Sequence, residues 1–473
     1  MAHTPKKALF IAYIFPPLAR AGVHRTVRFA RYLPALGWDV TVLTIAEPYY
    51  PPQSPVDREL LTKIPPEVKI AATPAFQGVE RLFRLKDAVR LRPARPAQSN
   101  EACSPAAAES AAKPMQAENG SVAAQAKKRG WRQHTKDFLY DLITTPDKEV
   151  NWLAPALHHA LKLHRRDKFD LIYSTAPPFT GHVMAKYLKR LTGLPWVADF
   201  RDPWARAPWK AEILSGSWRG KVVARLERQF VERADRVILN TEWNRREFSQ
   251  HYGATLAPKF SVITNGFDPQ DFSGMPARAQ LHTKMVITHT GALYRRRNPL
   301  EFFQACENLL QHRVISPQEL EIRFIGVIAP ELYKSFEGSS ELRQMITVLP
   351  QVSHREALAF QMESDVLLIL QPGTSVSVPG KIFEYIGMRK RILALTPAGA
   401  TADIVRENNL GPVVDPENVP AIESALLQFV EEFRRGGLHV PAANGAFKKY
   451  DGVELARQLH DEFMLCLGHG RRD

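Results

Sequence analysis

Strand-sized apolar runs, each followed by a loop and a helically spaced segment, recur along almost the whole chain. This rhythm restricts the possible folds more than any other feature of the sequence. Lys7–Tyr13 (KALFIAY) is a short apolar run that predicts a buried strand. A loop with Phe15-Pro16-Pro17 and Gly22 follows, then apolar positions at helical spacing over Val23–Leu36, ended by Gly37. Trp38–Thr44 (WDVTVLT) predicts the next strand. Strand, helix, strand with a crossover implies parallel pairing. The same reading predicts strands at Asp170–Ser174, Trp196–Phe200, Arg236–Asn240 and Phe260–Ile263, with a helix over Thr180–Leu191. It restarts with strands at Met285–His289, Glu321–Ile325, Thr347–Leu349, Asp365–Leu370 and Arg391–Leu395. Helices are predicted at Leu300–Leu310, His354–Met362, Lys381–Met388, Ile422–Phe433 and Val453–Leu467. The expected fold is therefore α/β, two successive doubly wound, Rossmann-like domains.

The 473 residues accommodate two such domains. The first is expected over residues 1–270 and the second over 281–445, with 446–473 as a final helix. Asp268–Lys284 is polar and predicts an interdomain loop. Residues 93–126 are rich in Ala, Pro, Ser, Gln and Glu, so a disordered insertion is expected at about 92–130. The formal charge is +14, and the window Arg81–Lys136 holds twelve basic against four acidic residues. Val79–Leu91 (VERLFRLKDAVRL) also has helical periodicity, with Arg81, Arg84, Lys86 and Arg90 around an apolar stripe. That pattern predicts contact with an anionic membrane surface. Nucleic acid is not the expected partner, because the basic residues lack interleaved aromatics. Cys103, Cys306 and Cys466 are far apart, which excludes a disulfide scaffold and a structural zinc motif. No apolar run reaches the roughly 18 residues of a membrane span. Met1–Lys7 enters the first strand without a signal-peptide core, so a cytoplasmic location is expected.

Parallel sheets bind ligands beyond the carboxyl ends of their strands, which makes the post-strand loops the candidates. Gly22 stands alone after the first strand, and the absence of G-x-G-x-x-G disfavours a nicotinamide cofactor. After Trp196–Phe200 comes Asp199-Phe200-Arg201-Asp202, charges that must be paired internally or used on hydroxyl-bearing substrates. In the second half, Thr290-Gly291-Ala292-Leu293-Tyr294 precedes Arg295, Arg296 and Arg297, three adjacent cations that a polyanion would stabilise. The fullest constellation is Ser375-Val376-Ser377-Val378-Pro379-Gly380-Lys381, followed by Glu384 and Tyr385. Small residues and Gly380 expose backbone N–H groups to a diphosphate, Lys381 adds a charge, and Glu384 can accept from two ribose hydroxyls.

Taken in order, these segments resemble retaining glycosyltransferases of family 4, which have the GT-B fold. The resemblance rests on Phe15-Pro16-Pro17, Gly22, Arg25, Pro146-Asp147 with Trp152, and Ser174-Thr175-Ala176-Pro177-Pro178. It continues through Asp199–Trp204, Asn265-Gly266-Phe267-Asp268, Thr290–Tyr294 and Lys381 with Glu384-Tyr385. It implies two Rossmann-like domains facing a cleft, with the C-terminal helix packed back on the N-terminal domain. It implies a nucleotide-sugar donor in the second domain and a glycan or lipid-linked acceptor in the first, in cell-surface polysaccharide biosynthesis. On this resemblance the catalytic residues are Asp202, Arg296 and Lys381. Donor binding falls to Gly22, Gly291, Arg297, Ser377, Gly380 and Glu384, and acceptor binding to Asp199, Arg201 and His24. No Asp-x-Asp occurs, so no metal or other cofactor is expected, and cationic side chains would stabilise the leaving phosphate. Two departures stand out. Many family members pair Glu384 with a glutamate eight positions earlier, where this chain has Val376, and the usual Gly-Arg is Gly291-Ala292. A non-catalytic GT-B scaffold and a GT-B nucleotide-sugar epimerase remain the alternatives.

Overall fold

The structure, a computed structural model, describes residues 5–76, 144–207, 214, 216–275, 283–294, 297–436, 438 and 446–469. The expected basic helix Val79–Leu91, the insertion at about 92–130 and Arg296 lie outside the described residues. Two parallel sheets organise the rest. The first contains β1 (Lys6–Ile11), β2 (Trp38–Ile45), β3 (Lys69–Thr73), β4 (Leu171–Ala176), β5 (Trp196–Phe200), β6 (Arg236–Leu239) and β7 (Phe260–Val262). Their spatial order is β3-β2-β1-β4-β5-β6-β7. The second contains β8 (Met285–Thr290), β9 (Leu320–Ile325), β10 (Ile346–Leu349), β11 (Val366–Leu370), β12 (Arg391–Leu395) and β13 (Val413–Val414), in the order β10-β9-β8-β11-β12-β13.

Both sheets are covered on both faces, which is why their central strands read as unbroken apolar runs. Leu9 and Ile11 pack into one core with the helices Leu153–Asp167, Thr180–Thr192 and Trp218–Arg233, while Ala8 and Phe10 face the opposite side. That opposite core is completed by the last helix, Gly452–His469, through Leu455, Leu459, Phe463 and Cys466. Phe463 meets Trp38 edge-on with ring centroids 5.0 Å apart, and Trp38 Nε1 donates to His460 Nδ1 at 3.0 Å. The C-terminal helix thus packs on the N-terminal domain, as expected. The two chain crossings between domains also touch each other. Phe267 N–H donates to Tyr450 O, and Gly452 N–H donates to Phe267 O.

Some elements differ from the sequence expectation. The first helix, Val23–Tyr32, stops before the expected Leu36 because Pro34 cannot donate to its ladder and starts a separate 3-10 turn. β3 was not expected: it is an edge strand with mostly exposed residues and no apolar run. β13 is two residues long and leaves no periodicity to read.

Both sheets reverse their winding at one place, between β1 and β4 in the first and between β8 and β11 in the second. At such a reversal the connections leave to opposite faces of the sheet, and the carboxyl edge there is where a parallel sheet forms its crevice.

Candidate functional site

The second crevice gathers most of the expected donor residues. Gly291 follows β8 directly, with φ +125°. A Cβ there would lie 3.1 Å from Lys381 Nζ, so glycine leaves the space that the lysine head occupies. Lys381, opening the short helix Lys381–Gly387 after Gly380, hydrogen-bonds Thr290 O and reaches His289 Nε2 at 3.3 Å. His289 Nδ1 is 2.9 Å from Leu368 O, so it donates there and leaves Nε2 as the acceptor for Lys381. Arg297, across the crevice, donates to Gln371 Oε1 at 3.2 Å, and Gln371 Nε2 lies 3.4 Å from Ser377 Oγ. Burial, then the neighbouring Arg297 guanidinium, lowers the Lys381 pKa to about 7. Two cations held together at a strand end in this way favour an anion between them.

Below them a buried polar network fixes the floor. Gln361 donates to Thr290 Oγ1 at 2.8 Å, and Tyr385 OH lies 3.4 Å from the same oxygen. Glu384, one turn beyond Lys381, is half-buried and lies 2.9 Å from His354 Nε2. His354 was not among the residues expected from sequence. It opens the helix His354–Glu363, whose start is fixed by a capping box between Ser353 and Glu356. Burial alone would lower the His354 pKa, but the Glu384 hydrogen bond and charge outweigh it and raise it.

The first crevice supplies the facing wall. His24, on the first turn after Gly22, lies against His354 with ring centroids 4.7 Å apart and planes at 36°. Burial, then His354, holds the His24 pKa well below the ordinary value, so its ring is neutral. Beside this contact lies a cavity of about 620 Å³. It is lined by His24 and Lys63 of the first domain, Gln270 and Asp271 of the linker, and His354 and Arg355 of the second.

Gly22 has φ +88°, and a Cβ there would fall 1.4 Å from Arg201 Nη1. The bare glycine is what allows Arg201 to cross beneath the loop. Arg201 itself is 6% exposed and donates to the carbonyls of Ala176 and Pro177, with Nη1 3.4 Å from Ala21 O. Its guanidinium clamps the loops after β1 and β4 rather than facing the cleft.

Asp199 corrects the acceptor assignment more sharply. It is fully buried inside β5. Arg25 binds it through two bonds of 2.8 and 2.9 Å, and Tyr173 OH donates to it at 2.6 Å. Burial would raise the Asp199 pKa, but the Arg25 charge and hydrogen bonds hold it below the ordinary carboxylate range. Arg25 also donates to Ile263 O and Thr264 O. This pair ties the first helix, the central sheet and the segment after β7 together. It matches the internal-pair alternative, with Arg25 as partner in place of Arg201. Asp202, two residues past the end of the pattern that buries Asp199, is half-buried at the strand end beside Arg201.

Residues 124–271 match the model of Glycosyltransferase Family 4. That match covers about a third of the chain. A D-inositol 3-phosphate glycosyltransferase of Kineococcus radiotolerans is 26% identical over 163 residues, which span 32% of this chain and 37% of that protein. The match therefore covers well under half of that relative. The whole GT-B architecture recurs in solved structures. Sucrose-phosphate synthase from Thermosynechococcus elongatus superposes with a TM-score of 0.60 at 13% identity, over 98% of this chain and 100% of that one. Anabaena Alr3699/HepE in complex with UDP-glucose gives 0.57 at 15% identity, over 97% and 99%. At such identities the likeness establishes the two-domain GT-B fold. The winding reversals of both sheets lie at the carboxyl edges where a GT-B cleft forms.

Proposed function

We propose that this protein is a glycosyltransferase that moves a sugar, with retention, from a nucleotide-sugar to a glycan or lipid-linked acceptor in cell-surface polysaccharide biosynthesis. One observation carries the reading: Lys381 and Arg297 converge beside Gly291, with Glu384 one turn away, at the winding reversal of the second sheet. The HepE structure is a complex with UDP-glucose, and a nucleoside diphosphate suits these groups. The two cations take the diphosphate, and Glu384 takes the ribose hydroxyls. Arg296 belongs to the same cationic run.

In the reaction the bond between the sugar C1 and the leaving phosphate oxygen breaks through an oxocarbenium-like state. The acceptor hydroxyl bonds to C1 from the same face, and its proton passes to the departing phosphate oxygen. Lys381 and Arg297 stabilise the charge that grows on that phosphate, without requiring a metal ion. Asp202 orients the acceptor hydroxyl from the edge of the first sheet.

A peripheral position at the cytoplasmic face of an anionic membrane belongs to the same proposal. No helix among the described residues is long and apolar enough to cross a membrane. The adjoining helices Leu153–Asp167, Thr180–Thr192 and Trp218–Arg233 carry eleven lysines and arginines against three acidic residues. Leu191 and Tyr187 stand exposed among them. In sequence these helices lie outside the Arg81–Lys136 window, and both suit anionic lipid.

The test is release of nucleoside diphosphate from a panel of UDP-, GDP- and ADP-sugars with lipid-linked acceptors. Turnover is expected with one donor class and is expected to fall at least a hundredfold in Lys381→Ala, the scale of losing one electrostatic stabiliser. Undiminished turnover in Lys381→Ala and Glu384→Ala contradicts the site. Val376, in place of the first glutamate, favours a second reading, a non-catalytic scaffold. The absence of a thermal shift with every nucleotide-sugar would support that reading.

A further inference from the structure

We propose that His354 is the positioning residue of the donor site: it holds the Glu384 carboxylate ready for a ribose and, through its ring contact with His24, ties that readiness to closure of the two domains. The inference rests on the reading of Glu384 as the ribose acceptor.

Glu384 lies on a seven-residue helix and has one described hydrogen-bond partner, His354 Nε2 at 2.9 Å. A half-buried glutamate left to itself samples several rotamers, and ordering it on binding costs affinity. With Oε1 held by His354, the carboxylate plane is fixed and Oε2 is left for a hydroxyl. The Ser353–Glu356 capping box fixes His354 in turn, since it sets the first residue of that helix. The geometry thus runs from a rigid helix start, through an imidazole, to the carboxylate.

The other face of the imidazole belongs to the first domain. His24 covers it at a centroid distance of 4.7 Å. His24 is neutral because burial and the positive neighbours His354, Arg28 and Lys63 all oppose its charge. An uncharged His24 ring can pack against His354, whereas a second cation would be repelled by a charged one. The charged groups that face His354 from the surrounding elements are Glu384, Asp271 of the linker and Lys63 of the first domain, and its own helix start contributes Arg355 and Glu356. Both domains therefore contribute to one stack that ends on the ribose-binding carboxylate. When the domains part, His354 loses its cover, and Glu384 loses its fixed orientation.

The experiment separates this role from general structural damage. UDP, GDP and ADP and their 2′,3′-dideoxy analogues are titrated into the full-length protein and into His354→Ala and His354→Gln. His354→Ala is expected to weaken the ribonucleotide about tenfold, the scale of one charge-assisted hydrogen bond. The dideoxy analogue, which offers Glu384 nothing, is expected to bind both proteins alike. His354→Gln keeps a donor within reach of Glu384 and is expected to restore most of the ribonucleotide affinity. Equal weakening of both ligands, or of neither, overturns the positioning role. Failure of the wild type to bind any of the three nucleotides overturns the ribose reading of Glu384, and this inference falls with it. The closure half is read by small-angle scattering. His24→Ala is expected to raise the radius of gyration of the unliganded protein, and an unchanged radius overturns the coupling.

Discussion

A single lysine sets the pH behaviour expected of the site. Lys381 is held near a pKa of about 7 by burial and by Arg297. A bound diphosphate reverses that pressure and raises the value, so binding takes up a proton above pH 7. Nucleotide affinity is therefore expected to fall as pH rises from about 7, by at most tenfold per pH unit. In Lys381→Met that slope is expected to flatten, which calorimetry over pH 6–9 can read. The sign for folding is opposite. Between about pH 7 and the ordinary lysine value the unfolded chain binds the proton more tightly, so this group makes the free protein more stable as pH rises there. Arg25 gives a second prediction at this scale. Removing it leaves Asp199 buried, charged and unpaired, so Arg25→Ala is expected to cost about 3–5 kcal/mol in a urea titration. Arg25→Lys cannot restore the two-bond geometry and is expected to recover only part of that loss. The sequence shows two carboxylates and an arginine at a strand end, but not which side chain turns inward. Asp199 points into the domain, onto an arginine 174 positions away in the chain, and neither spacing nor charge pattern carries that information.

Elements were legible to the extent that burial wrote itself into their composition. Trp196–Phe200 and Arg391–Leu395 coincide with the expected strands because both lie inside their sheets with apolar side chains on both faces. β3 escaped because an edge strand needs no such run, and its exposed Lys69, Ile70 and Ala72 carry no alternation. His354 escaped for a different reason. It was placed at the start of an expected helix, but its partner Glu384 lies 30 residues on, beyond another strand. The signal that was present is the capping box at Ser353 and Glu356, in the loop that follows β10 at the carboxyl edge. That box makes a prediction of its own. Ser353→Ala is expected to cost about 1 kcal/mol of stability. It is also expected to weaken nucleotide binding, since it frees the residue that holds Glu384. Thermal denaturation and a nucleotide titration on the same sample check both effects.

For the whole molecule, the +14 of the chain acquires a geography. The described part concentrates basic side chains on three neighbouring helices of the first domain, on the side of the sheet opposite the C-terminal helix. Vesicle flotation is expected to need anionic lipid and to weaken with salt. Charge reversal of Lys186, Arg190 and Arg233, which line one groove of that face, is expected to reduce flotation without changing nucleotide affinity. Unchanged flotation would remove this face from the membrane contact. The domain count and the parallel sheets were legible because the βα rhythm restarts once, at Met285. The cleft between the domains was implied by the family resemblance alone, since the contacts that make it, such as His24 on His354, are encoded by no local pattern. The central claim is that a nucleoside diphosphate is held at the winding reversal of the second sheet. Calorimetric titration of UDP, GDP and ADP into the wild type and into Lys381→Ala tests it most directly. The account predicts saturable binding of at least one nucleotide by the wild type and a loss of tenfold or more in the variant. Equal affinity in the two proteins, or no binding by the wild type, would contradict it.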